Sequence, residues 1–137
     1  MKITQKDLDL IEEAETTIKR LFDSKKHGIA AAVLTKSGQV FTSVNLNAYT
    51  GKIDVCAEAI AIGKAIADGE KDLVTTVVVR HPRIGEKIQK LRVVSPCGVC
   101  RELMCDYGVK AIILSRNGRL VKIAPEELLP DRFNREK

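Results

Sequence analysis

The stretch LVTTVVVRHPRIGEKIQKLRVVSPCGVCRELMCDYGVKAIILS, residues 73–115, decides the fold. Its start, Leu73–Arg80, is rich in valine and threonine and predicts a strand. Ser95-Pro96 then predicts a helix, because serine favours the N-cap and proline favours the first helical position. This helix is expected to end at Tyr107-Gly108, and the run Val109–Ser115 predicts the next strand. Two strands joined through a helix run parallel, so the sequence predicts an α/β protein.

Antiparallel hairpins flank this parallel pair. A four-residue turn separates the apolar run Ile29–Thr35 from the strand Val40–Asn45, and so short a connection predicts a hairpin. Asn117-Gly118 predicts a second hairpin, which joins Val109–Ser115 to Leu120–Ile123. The sheet is therefore expected to be mixed and five-stranded, with its last two strands antiparallel.

Three further segments have helical patterns. Apolar residues at helical spacing follow Thr4 and predict a first helix that ends near Asp23. Asp54 is expected to cap a second helix that starts at Val55, and a short closing helix is expected over residues 124–129. The helices then cover the faces of the mixed sheet.

Composition indicates a globular chain. Of its 137 residues, 45% are hydrophobic and 30% are charged, so we expect a single domain over residues 1–137 with a packed core. No apolar run approaches the roughly 20 residues of a membrane span, and the N-terminus lacks the apolar stretch of a signal peptide. We therefore expect a soluble cytoplasmic protein that has no membrane partner.

The positive charge is concentrated in the second half of the chain. The net charge is +5, and the segment 80–92 alone contains five Lys/Arg and one acid. Such asymmetry is typical of a protein that binds an anion, such as nucleic acid or a phosphate or carboxylate on a substrate. Taken alone, the charge favours a solvated basic surface over an anionic partner.

Three of the four cysteines lie where helices are expected to start. They occur in Cys56-Ala57-Glu58 and Pro96-Cys97-Gly98-Val99-Cys100, and the positive end of a helix favours thiolates. Three thiolates fill three of the four positions around a zinc ion and leave the fourth for water. Glu58 is close enough in sequence to move protons there. A structural zinc site or a redox pair would explain Cys97 and Cys100 taken alone.

With both halves of this pattern, the chain resembles the cytidine deaminase family, and within it the small deaminases of the blasticidin S type. The resemblance implies a three-layer α/β/α fold and one Zn²⁺ per subunit, held by Cys56, Cys97 and Cys100. It also implies hydrolytic loss of the 4-amino group from the cytosine ring of a small nucleoside or nucleoside antibiotic, such as cytidine, deoxycytidine or blasticidin S. Glu58 would protonate N3 and then the departing ammonia. Family members usually form homotetramers, with a homodimer as the alternative, and neighbouring subunits complete the sites.

The resemblance also implies roles for residues around the substrate. Asn45 matches an asparagine that hydrogen-bonds the sugar, and Phe133 matches an aromatic residue that stacks on the pyrimidine in an adjacent subunit. Asn47, Tyr49 and Ala57 are further expected pocket residues.

Two departures from the cytidine deaminase pattern concern the substrate and the thiolates. Asn47 stands where cytidine deaminases have a glutamate, and an amide lacks the charge-assisted hydrogen bond of a carboxylate. Ala59 stands where they often have an arginine, so Arg101 is the candidate donor to the thiolates. Both departures argue against plain cytidine as the preferred substrate.

Three alternatives remain at this level. The resemblance disfavours a polynucleotide deaminase, because the related deaminases of free nucleosides have antiparallel last two strands, whereas polynucleotide deaminases generally have parallel ones. The five aromatic residues of the chain also offer little stacking surface for extruded bases. A zinc-stabilised binding protein without turnover would not need Glu58. Another amino-heterocycle stays open as the substrate.

Overall fold

A mixed six-stranded sheet forms the middle of the molecule. The computed structural model describes residues 1–133 and contains three helices and six strands in the order α1 (Gln5–Leu21), β1 (Ile29–Thr35), β2 (Val40–Val44), α2 (Ala57–Ala67), β3 (Leu73–Arg80), β4 (Arg92–Val93), α3 (Gly98–Asp106), β5 (Ala111–Arg116) and β6 (Arg119–Ile123). Single 3₁₀ turns lie at Gly51–Ile53 and Pro125–Leu128. The second of these replaces the closing helix expected over residues 124–129.

The strand order β2-β1-β3-β5-β6 confirms the expected topology. Among the paired strands of residues 1–133, only β3 and β5 pair in parallel, with Thr76 opposite Ile112, and the β5–β6 hairpin is antiparallel. Asn117 and Gly118 both have positive φ, at 51° and 77°, as a two-residue hairpin turn of the primed type requires.

The sheet has one strand more than the five expected. Arg92 and Val93 form β4, which pairs antiparallel with Arg80 and Val79 at the end of β3. The sequence 80–92 is polar and basic, and a two-residue strand carries no alternation that distinguishes it from a loop. This short pairing matters for the site, because it leads the chain directly from the sheet to the start of α3.

Each face of the sheet packs against helices and has its own apolar cluster. On one face, α1 packs Leu10, Ala14 and Ile18 against inward-facing residues of the central strands. On the other face, α2 and α3 cover a cluster that includes Ala61 and Met104. Side chains alternate across a strand, so β1 sends Ala30 and Ala32 to the first cluster and Ala31 and Val33 to the second. The result is the expected three-layer α/β/α fold.

Both helices of the second face begin later than expected. Val55 does not start α2, because it pairs with Leu46 in a β-bridge, and the carboxylate of Asp54 accepts a hydrogen bond from the Ala48 N–H instead. Cys56 is the N-cap of α2. Likewise Cys97, two residues after Ser95, is the N-cap of α3.

Within residues 1–133, none of the helices combines the length and the apolar character that crossing a membrane requires.

A buried ion pair ties the start of α1 to the last strand. The Asp7 side chain is 3% exposed and lies 3.0 Å from Lys122 Nζ. Asp7 also completes a capping box with Thr4, since its carboxylate accepts the Thr4 N–H and its own N–H donates to Thr4 Oγ1. Burial opposes ionisation, but the hydrogen bonds from Thr4 and Lys122 outweigh it and lower the pKa of Asp7.

We predict that Asp7→Asn lowers the free energy of unfolding at pH 7 by about 1–3 kcal/mol, the range for leaving a buried group without its charged hydrogen-bond partner. Because folding lowers the pKa of Asp7, the ionised carboxylate contributes its full stabilisation above the unfolded carboxyl pKa of about 3.9. This stabilisation is lost as the pH falls towards the folded pKa. Urea unfolding at several pH values measures this. The exposed Glu12→Gln on the same helix is the control, and equal effects of the two changes would contradict the prediction.

Candidate metal and substrate site

Three cysteine sulfurs meet at the N-termini of α2 and α3. Cys56 and Cys97 are the N-caps of the two helices, and Cys100 lies in the first turn of α3. All three sulfurs lie within 4.8 Å of one another. The Cys56 thiol makes no capping hydrogen bond to α2, so it remains available to a metal. Cys105, the fourth cysteine, is not in this cluster.

The spacing of the sulfurs fits a tetrahedral zinc ion. Two sulfurs that each lie about 2.3 Å from zinc at a tetrahedral angle are about 3.8 Å apart. Cys56 Sγ and Cys97 Sγ are 3.8 Å apart. Three thiols are the donor type that zinc favours, and together they fill three of its four positions.

The thiols need a cation if they are to ionise together. Burial raises the pKa of Cys56 and of Cys100, and the neighbouring Glu58 carboxylate raises both further. Burial also opposes ionisation of Cys97, but hydrogen bonds from the Cys100 backbone N–H and thiol outweigh it and lower the pKa of Cys97. Binding of a divalent metal therefore releases protons from the cluster.

Glu58 is a buried acid beside the sulfurs. It lies in the first turn of α2 and is 4% exposed. Burial raises the pKa of this carboxyl above its ordinary value, opposed in part by its own backbone N–H and by the Cys100 thiol. A carboxyl with a raised pKa can both accept and return a proton near neutral pH.

Two asparagines form the side of the site away from the sulfurs. Asn45 Oδ1 accepts hydrogen bonds from the N–H groups of Gly28 and Ile29, at 2.9 and 3.0 Å. Its Nδ2 donates to Asn47 Oδ1 at 3.0 Å. These contacts fix the orientation of the Asn45 amide and leave it one free N–H. Asn45 can therefore donate to a substrate hydroxyl, but it has little capacity to accept.

A cavity of about 240 Å³ connects these groups. Its walls include the predicted residues Asn45, Asn47, Cys56, Ala57, Glu58 and Cys97. The sequence prediction missed the apolar residues that complete the wall, namely Ile29, Val55, Val78 and Val94. The sequence shows that these residues are apolar, but no local pattern indicates that they line a cavity.

Ala57 has a further contact that the sequence did not indicate. The buried Ser43 hydroxyl donates to the Ala57 carbonyl at 2.5 Å. Ser43 lies on β2, so this bond fixes the start of α2, and with it Cys56 and Glu58, relative to the sheet.

Tyr49 and Phe133 lie outside the cavity within a single chain. Tyr49 is fully exposed and Phe133 is 83% exposed. Arg132 holds the segment before Phe133 against α3 through ion pairs with Glu102 and Asp106, at 2.9 and 2.7 Å. Their predicted contacts with substrate stay predictions, and that of Phe133 is expected in the site of an adjacent subunit.

Arg101 supports the site through the backbone. Its guanidinium donates to the Pro96 and Leu128 carbonyls and to Ser95 Oγ. Within residues 1–133 no hydrogen bond joins it to a thiol. It braces the turn that carries Cys97, and its predicted support of the thiolates stays a prediction.

Three clustered cysteines, with no fourth His, Cys, Asp or Glu ligand beside them among residues 1–133, and a buried acid are the parts of a catalytic zinc site in a hydrolase. Comparison with known proteins agrees. Residues 4–116 match the family model of the cytidine and deoxycytidylate deaminase zinc-binding region. The chain therefore belongs to this family, and the cluster of three cysteines fits one zinc ion per chain.

Individual relatives extend the comparison over nearly the whole chain. A blasticidin-S deaminase of Bacillus cereus is 48% identical over 134 residues, which are 97% of this chain and 96% of that protein. A cytidine deaminase of Halalkalibacterium halodurans is 32% identical, covering 79% of this chain and 78% of its own. The crystal structure of a cytidine deaminase from Burkholderia pseudomallei superposes with a TM-score of 0.74 at 26% identity, covering 96% of this chain and all of that one.

We predict that Cys100→Ser lowers the zinc content of the purified protein from about one ion per chain to a small fraction, since a neutral hydroxyl is a poor ligand compared with a thiolate. Cys105→Ser is the matched control and keeps its zinc. Elemental analysis after dialysis measures both. Full zinc occupancy in Cys100→Ser would contradict the ligand assignment.

Proposed function

We propose that this protein is a zinc-dependent hydrolase that removes the 4-amino group from the cytosine ring of a small nucleoside, giving the uracil-type product and ammonia. The observation that carries the proposal is the Glu58 carboxyl, buried beside three sulfurs with the spacing of zinc ligands. A zinc site that only stabilised the fold would gain nothing from an acid beside it. The antiparallel β5–β6 hairpin also disfavours a polynucleotide substrate.

In this mechanism Cys56, Cys97 and Cys100 hold the zinc, which when bound acts as a Lewis acid and lowers the pKa of water. The Glu58 carboxylate accepts a proton from the attacking water and gives it to N3 of the ring. It then carries the second proton from the C4 hydroxyl to the departing amine, so that ammonia leaves. Burial of Glu58 suits this shuttle, because the raised pKa brings the acid and its conjugate base closer in energy.

The chain's residues also orient the substrate in this proposal. The apolar wall at Ile29, Val78 and Val94 covers the ring, and the free N–H of Asn45 donates to a sugar hydroxyl. Asn47 supplies an amide where a carboxylate would bind a hydroxyl more strongly. The 48% identity to a blasticidin-S deaminase supports a modified cytosine nucleoside as the preferred substrate.

We expect Glu58→Gln to keep its zinc and to lose turnover by at least about 10²–10⁴-fold, the range for a general acid–base group. The reaction is followed by the ultraviolet change on loss of the amine, with blasticidin S, cytidine and deoxycytidine as substrates. Glu12→Gln, which is exposed on α1, is the control and keeps wild-type rates. Wild-type turnover in Glu58→Gln would rule out this mechanism, and zinc-loaded wild type inactive on all three substrates would rule out the proposed function.

The assembly proposed for this enzyme is a cytoplasmic homotetramer of single-domain subunits. Several large apolar side chains stay exposed in one chain, among them Tyr49, Ile53, Val99 and Phe133. A second subunit that covered them would bury this surface and close the site. Light scattering tests this, with an expected mass of four times 15.1 kDa, and a monomer that retained full activity would contradict it.

A further inference from the structure

A second cavity adjoins the zinc site and has no part in the chemistry described so far. Its volume is about 450 Å³, and it shares Ile29, Asn45 and Asn47 with the zinc cavity. The two spaces therefore meet at the asparagine pair. A nucleoside that places its ring beside Glu58 and its sugar at Asn45 directs any larger sugar substituent towards this side cavity.

The floor of the side cavity is rigid. Phe22, just after α1, stacks on His81, just after β3, with ring centroids 3.6 Å apart and planes 15° apart. His81 Nδ1 lies 2.8 Å from the Pro82 carbonyl oxygen. A carbonyl only accepts, so Nδ1 carries the hydrogen of that bond and the ring is held in place.

Two opposite charges line the same cavity. Asp23 Oδ1 accepts the N–H groups of Lys25 and Lys26 at 2.8 and 3.0 Å, which fixes the carboxylate. These backbone hydrogen bonds lower the pKa of Asp23, so it is ionised at neutral pH. Arg83 also lines the cavity. Within residues 1–133, neither Asp23 nor Arg83 takes part in an ion pair.

The third charged group of the cavity is already neutralised. Arg80 pairs with Glu86, which Arg92 also approaches. The Asp23 carboxylate would repel a substituent that carries only a phosphate, and Arg83 would repel one that carries only an amine. A substituent that carries both a positive and a negative charge can pair with both residues.

We propose that the side cavity binds a zwitterionic substituent on the sugar of the substrate, with Asp23 taking its cationic group and Arg83 its carboxylate. The inference rests on the proposed function, because it assumes that the cytosine ring occupies the zinc cavity. It assigns specificity to two residues that lie outside the reaction centre and far apart in sequence.

The test compares three probes on the zinc-loaded enzyme. Blasticidin S is a cytosine nucleoside whose sugar carries a carboxylate and a guanidine-bearing chain, deoxycytidine 5′-monophosphate carries only an anion, and cytidine carries neither. The variants are Asp23→Asn and Arg83→Gln. Asparagine keeps the oxygen that accepts the Lys25 and Lys26 N–H groups, so it removes the charge and preserves the turn.

Each variant is expected to lower the ratio of kcat/KM for blasticidin S to that for cytidine by about tenfold or more, as for a lost charge-assisted hydrogen bond. The loss should appear in KM, since the contact is made equally in the ground and transition states. For deoxycytidine 5′-monophosphate, Arg83→Gln lowers kcat/KM and Asp23→Asn does not. The matched controls Asp72→Asn and Lys87→Gln lie outside the cavity and keep the wild-type ratios.

An unchanged ratio in either variant would overturn the proposal: an effect of Arg83→Gln alone would mean an anion site, and an effect of Asp23→Asn alone a cation site. If the control variants lowered the kcat/KM ratio as much, the cause would be the overall charge of the protein rather than the cavity, and the proposal would also be overturned. These results are distinct from failure of the proposed function, in which the wild type deaminates none of the three probes.

Discussion

The shared direction of β2 and β3 is the constraint on which the site depends. Both strands pair antiparallel with β1, so α2, which follows β2, and α3, which follows β3, begin at the same end of the sheet and cover the same face. Cys56 and Cys97 are 41 residues apart in sequence, yet their sulfurs are 3.8 Å apart because both helices begin there. If β2 ran opposite to β3, α2 would begin at the other end of the sheet. The fold therefore brings the three thiols together, and a bound metal offsets the burial that raises the pKa of Cys56 and of Cys100.

Small residues let the layers come close enough for this geometry. Strand β1 has three consecutive alanines at its centre, and α2 packs Ala57, Ala61 and Ala65 into the buried cluster on its face. Because α2 packs closely on the sheet, its first turn, which contains Glu58, lies against the end of the sheet. The Ser43 hydroxyl on the Ala57 carbonyl fixes that first turn. The same packing that stabilises the domain thus positions the acid relative to the sulfurs.

The sequence predicted the topology and the ligands because both have local signals. Helix and hairpin signals occur within a few residues of one another, and Cys56-Ala57-Glu58 with Cys97-x-x-Cys100 is a specific spacing. The prediction of Asp54 and Ser95 as N-caps was wrong. Cys56 and Cys97 are the N-caps because the residues before them pair with strands that are distant in sequence. Strand β4 was missed for the same reason. The side cavity had only part of a sequence signal: the basic segment 80–92 contains Arg83 and indicated an anion site, but Asp23 joins it only through the tertiary fold.

The central claim is that three sulfurs hold the metal and leave one position open for chemistry. X-ray absorption at the zinc edge of the wild-type protein measures this directly. The account predicts three sulfur neighbours at about 2.3 Å and one oxygen or nitrogen neighbour at about 2.0 Å. A shell of four sulfurs, or of fewer than three, would contradict it, because the site would then be either closed or held by other residues.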